Sequence, residues 1–112
     1  MSSLAERIFN SERPGYWAIQ VRLEPATDLS RRYLCHAPNE RDASAIAGRL
    51  MGSAVNTRGY NLSWIDESLL EAEGARLPVA GGHRTVPDPL EWAQFVALSA
   101  RSEAAQQERM SS

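Results

Sequence analysis

Residues 16–23 read Tyr-Trp-Ala-Ile-Gln-Val-Arg-Leu. In an extended chain, successive side chains point to opposite faces. Trp17, Ile19, Val21 and Leu23 therefore share one side, and Tyr16, Ala18, Gln20 and Arg22 share the other. Aromatic and β-branched residues at every second position describe a strand with one dry face. Replacing a buried Trp17 with Ala is expected to cost roughly 3–5 kcal/mol.

Working outward from this strand, Pro25 and Asp28 place a loop over 24–30, and residues 31–36 resume as a second strand with Leu34 as its best inward residue. Pro38 ends that strand, so the two form a hairpin with a medium-length loop. Asn39 is a good N-cap, with Asp42 at the positive helix end. Ala43, Ile46, Ala47, Leu50 and Met51 follow at helical spacing until Gly52. This gives a helix of about three turns with a thin inner face. Tyr60, Leu62 and Trp64 alternate with Asn61 and Ser63 as a third strand. Asp66 or Ser68 caps a short helix through Leu69, Leu70 and Ala72, closed by Gly74.

Residues 75–87 hold Pro78, Gly81, Gly82 and Pro87 and read as a loop. Asp88-Pro89-Leu90-Glu91 is the strongest helix start: Asp88 caps, Pro89 sits where its missing N–H costs nothing, and Glu91 completes a capping box. Trp92, Phe95, Val96 and Leu98 continue the helix. Beyond Ala100 it turns polar, so residues 101–112 are expected to fray or project. On the N-terminal side, Ser3-Leu4-Ala5-Glu6 is a second capping box and starts a short helix over 3–10.

These elements predict a single α+β domain over residues 1–112, with a small three-stranded antiparallel/mixed sheet in a β-β-α-β core, flanking helices and a long C-terminal helix. Right-handed crossover makes the third strand parallel to the second, with the first between them and antiparallel to both. Helices cover the Trp17 face. The Tyr16 face is either open or covered by the N-terminal or last helix.

Composition bounds the function. A chain of 112 residues fits one domain. No apolar run approaches the roughly 20 residues of a membrane span, and residues 1–10 carry Glu6 and Arg7, unlike a secretory signal. One cysteine, Cys35, excludes an internal disulfide and fits a cytoplasmic protein. The net charge of −2 argues against a dedicated nucleic-acid binder. All twelve basic residues are Arg, which fits a GC-rich bacterial genome and a phage or plasmid accessory product.

Catalytic groups are sparse. A Cys nucleophile needs a base within hydrogen-bond reach, but Cys35 and His36 are adjacent on a strand and face opposite ways. His83 reaches Cys35 only if the fold brings it there. Gly81-Gly82-His83-Arg84 offers amides and a guanidinium to an anion, or serves as a plain connector. Asp66, Glu67, Glu71 and Glu73 read as a cap and a solvated helix face. No His, Cys or carboxylate spacing suggests a metal, and no cofactor is implied.

Two surfaces remain. One is the Tyr16 face, with Arg22. The other is the last helix, where Trp92 and Phe95 lie on one side with Val96 while Leu90, Ala97 and Leu98 spread round the other. A three-stranded platform is small for so many large side chains, which points to a partner protein, the chain itself included as a homodimer. The sequence therefore favours a non-enzymatic protein-binding module (a small regulator, adaptor or inhibitor), with Tyr16, Arg22, Trp92, Phe95 and Leu98 as binding residues. A second reading is nucleic-acid binding through Arg22, Arg31, Arg32 and Tyr33 of the hairpin. A third is a small-ligand protein or Cys/His enzyme using Cys35, His36 or His83.

Overall fold

The computed structural model describes residues 15–23, 31–52 and 57–111. The helix expected over 3–10, the loop over 24–30 and the side chain of Leu23 lie outside the described residues. The described elements are β1 (Gly15–Leu23), β2 (Arg31–Ala37), α1 (Glu40–Met51), β3 (Thr57–Ile65), α2 (Glu67–Ala72), β4 (His83–Thr85) and α3 (Pro89–Ser111). The architecture is α+β.

The sheet is antiparallel throughout, in the order β3-β1-β2-β4. As the crossover argument requires, β1 lies between β2 and β3 and runs antiparallel to both. The sheet has four strands, not the expected three. The fourth comes from the segment read as loop: His83–Thr85 pairs with β2, and His36 N donates to Gly82 O at 3.1 Å and Val86 N to Arg32 O at 2.9 Å around it. Three residues are too few to show an alternation. The preceding glycines build its turn, because Gly81 has φ +75° and a Cβ on Gly82 would stand 2.9 Å from Val79 Cγ2.

Both faces of the sheet are dry. On one, Trp17, Ile19, Val21, Tyr33, Cys35, Ala37 and Trp64 pack with Ala43, Ile46 and Ala47 of α1. On the other, Tyr16, Ala18, Leu34 and Ile65 pack with Leu70 of α2, Val86, and Phe95 and Leu98 of α3. The Tyr16 face is thus covered by the last helix, and the open alternative fails there: Tyr16 is 5% exposed and Ala18 1%. Only its far end stays accessible, with Gln20 half-buried and Arg22 exposed.

The expected caps form. Asn39 Oδ1 accepts from Asp42 N at 2.8 Å, Asp66 Oδ1 from Ser68 N at 2.9 Å and Asp88 Oδ1 from Leu90 N at 2.9 Å. Glu91 does not close the box at Asp88, since its carboxylate is held by Arg84 instead. The C-terminal segment is helical, as α3 continues to Ser111. Its polar residues are turned inward: Ser102 is 1% exposed and Gln106 5%. Ser102 Oγ donates to Leu98 O and accepts from Asp66 N, each at 2.8 Å. This stitches α3 to the end of β3.

Candidate interaction surfaces

The binding residues expected on α3 divide sharply. Phe95 is 1% exposed and Leu98 2%. Both are core, as is Tyr16, so none of the three has surface to offer a partner. Trp92 is half-buried, with the Arg32 guanidinium 5.6 Å from its ring centre. Arg22 is exposed at the far end of the sheet.

The side of α3 that faces away from the sheet carries a different set. Leu90 is 80% exposed and Val96 47%. Ala93, Ala97, Ala100 and Ala104 are exposed beside them. Positions 90, 93, 97, 100 and 104 recur at intervals of three and four, which keeps them on one helical stripe. No charged residue occupies a stripe position. The alanine spacing was visible in the sequence. What hid it was the pull of Trp92, Phe95 and Leu98, whose size marks them as valuable without saying which way they point.

The hairpin arginines do not form one surface. Arg31 pairs in register with Val21 and Arg32 with Gln20, so they occupy opposite faces. Arg31 Nη2 donates to Met51 O at 3.5 Å, and Arg32 lies over Trp92. Both are half-buried, and the Nε of each is buried without a hydrogen-bond partner. Tyr33 is 7% exposed, so it presents no stacking platform. Of that set only Arg22 is open to solvent.

The fold brings His83 opposite Cys35 in the β2–β4 register, but it does not make a reactive pair. Cys35 is fully buried. Burial pushes its thiol up to about 12, against a smaller opposing effect of a hydrogen bond with the Trp17 backbone. A catalytic thiol is shifted the other way, towards the thiolate. His83 packs edge-on against Tyr33 at 5.8 Å and His36 against Tyr16 at 4.8 Å.

Arg84 is equally committed. It holds Glu91 through two bonds of 3.0 and 3.1 Å, donates from Nε to Arg76 O at 2.6 Å, and lies 5.5 Å from the Phe95 ring centre. With its donors spent inside the fold, it does not arm the glycine turn for an anion. Among the carboxylates, Asp66 is held below its ordinary value chiefly by the Ser68 hydroxyl, with the Ser68 amide and Arg109 adding to the effect and burial opposing it. That is the behaviour of a cap, not of a general acid.

His36 and His83 each border one of two adjoining hollows. A groove of about 420 Å³ runs between α1 and the turn before β4, lined by His36, Pro38, Asp42, Ile46, Arg49 and Gly81 among others. A second hollow of about 330 Å³ adjoins it, sharing Ile46, Arg49 and Gly81 and adding His83. Its walls carry neither a buried nucleophile nor a paired acid and base.

Among the described residues, no group of three or more His, Cys, Asp or Glu side chains is placed to hold a metal, and no helix is long and apolar enough to cross a membrane. No protein-family model matches the chain, and comparisons with curated proteins and with solved structures likewise find no significant match.

Proposed function

We propose that the domain is a non-enzymatic protein-binding module, a small cytoplasmic regulator, adaptor or inhibitor that docks a helix of its partner along the outer stripe of α3. One observation carries this reading. Leu90 stands 80% exposed on a stripe otherwise made of alanines, with Val96, 47% exposed, on its flank, while the inner face of the same helix is satisfied by the core. Exposed apolar side chains in a contiguous group mark interaction sites, and small residues beside them let a second helix approach closely. The buried, protonated Cys35 and the internally paired Arg84 support binding over catalysis. The half-buried Arg31 and Arg32, on opposite faces of the sheet, favour this reading over nucleic-acid recognition through the hairpin.

The test is co-purification from the native host, comparing the wild-type chain with a Leu90→Glu/Val96→Glu variant. A protein bound in stoichiometric amount to the wild type and lost from the equally stable variant is expected. A partner retained by the variant, or a wild-type chain that never carries one, contradicts the reading.

A further inference from the structure

The β3 edge of the sheet provides a second surface, independent of the α3 stripe. The hydrogen-bond pattern shows which backbone groups of β3 point outward. In an antiparallel ladder, a residue directs both its N–H and its C=O towards the same neighbour, and the next residue directs them the other way. The bonds from His36 N to Gly82 O and from Val86 N to Arg32 O turn the even-numbered residues of β2 towards β4. Its odd-numbered residues therefore bond β1, pairing Cys35 with Trp17 and Tyr33 with Ile19. The even-numbered residues of β1 are left for β3, pairing Ala18 with Ser63 and Gln20 with Asn61. Tyr60, Leu62 and Trp64 then direct their backbone groups away from the sheet. Asp66, next in this series, fits the same phase, because its N–H is taken by Ser102 Oγ on α3.

That serine closes the C-terminal end of the edge. No hydrogen bond occupies the outward N–H and C=O of Tyr60 and Leu62 among the described residues. From Gly59 to Ile65 the strand contains no charge and no proline, two of the devices that block edge-to-edge pairing, and its register irregularity, a third, is confined to its start between Thr57 and Gly59. The side chains of Tyr60 and Leu62 are half-buried at the rim of the core beneath α1, while Asn61 is exposed on the other face.

We infer that β3 pairs with β3 of a second copy of this chain, antiparallel about a two-fold axis at Asn61, joining two sheets into one of eight strands. The stretch is self-complementary: it is neutral, it presents equal numbers of donors and acceptors, and a two-fold antiparallel arrangement satisfies both copies at once. This register places Tyr60 opposite Leu62 of the second copy and Leu62 opposite its Tyr60. Each hydrogen-bonded pair exchanges two bonds, so the two pairs use all the open groups of Tyr60 and Leu62 without calling on Trp64. The rims of the two cores then meet, aromatic against aliphatic. The two Asn61 residues face each other with Cβ atoms about 5 Å apart. A contact this narrow forms a weak dimer, dissociating in roughly the micromolar-to-millimolar range.

Opposed charges at the axis provide the test. Full-length Asn61→Lys and Asn61→Glu variants are compared with the wild type by sedimentation equilibrium, with circular dichroism confirming that each is folded. Like charges directly opposite each other weaken each variant's self-association roughly fivefold, and an equimolar mixture of the two recovers a dimer at least as tight as the wild type. The Leu90→Glu/Val96→Glu variant dimerises as the wild type does. A wild type that stays monomeric at millimolar concentration overturns the proposal, as does a dimer indifferent to residue 61. A dimer lost only in the Leu90→Glu/Val96→Glu variant overturns it as well, and assigns self-association to the α3 stripe.

Discussion

The inner and outer faces of α3 are made from the same stretch of chain and do opposite things. The inner face carries Phe95, Leu98, Ser102 and Gln106, all at most 5% exposed. The outer face carries Leu90, Ala93, Val96 and Ala97, all exposed. Side-chain size does not separate them, since Leu98 is buried and Leu90 is not, and neither does polarity, since Ser102 is buried and Val96 is open. The separation comes from helical phase: the buried residues fall on one side of the helix and the exposed ones on the other. The lesson is that an apolar excess on a helix is not itself a binding surface. Only the part out of phase with the core is available.

The comparison is broken most severely from the inside. Phe95→Ala opens a cavity in the core of the Tyr16 face and is expected to cost about 3–5 kcal/mol in urea unfolding. An effect below about 1 kcal/mol would mean that the inner face is not core. Arg84→Ala removes a paired guanidinium and strands the partly buried Glu91, for about 1.5–3 kcal/mol in the same measurement. Ser102→Ala leaves the Asp66 amide without its acceptor and is expected to cost about 1–2 kcal/mol. This substitution separates a docked C-terminal half of α3 from a frayed one, which would show no change.

Alkali sharpens the contrast through Cys35. Its thiol is raised by burial in the native state, so the native chain binds this proton more tightly than the unfolded chain does. The resulting stabilisation is fully present below the ordinary thiol value of 9.0 and is lost as the pH rises from there towards about 12. Native Cys35 is also expected to resist thiol reagents at pH 8, reacting only at the rate of global opening. Rapid labelling without unfolding would place the thiol outside the core. The smallest effect belongs to the outer face, where Leu90→Glu and Val96→Glu are each expected to change stability by less than about 0.5 kcal/mol.

Much of this fold was legible because the local signals agreed with one another. The alternation from Tyr16 to Arg22 fixed the central strand, and Asn39, Asp66 and Asp88 marked the three described helix starts. What misled was residue character taken without geometry. Ala18, Gln20 and Arg22 made the Tyr16 face look wet, yet Ala18 is small enough to lie buried beneath the helix layer. His83–Thr85 was too short to alternate and lay between glycines and Pro87. Ser102 and Gln106 looked like a solvated tail because polar residues usually face water, whereas Ser102 is buried with two hydrogen bonds. For the candidate site, the sequence pointed to the helix proposed here, but it named Phe95 and Leu98, on the side that the sheet consumes. The β3 edge carried no mark of its own, because an unpaired edge is a property of strand order.

The account depends most on the outer stripe of α3 being spare for the fold and covered by a partner in the cell. A photo-crosslinking amino acid at position 97, in the full chain expressed in its native host, tests this directly against the same group at exposed Ala45 on α1. A discrete adduct from position 97, absent from position 45 and abolished by Val96→Glu, is the predicted result. Matching diffuse labelling at both positions would contradict it.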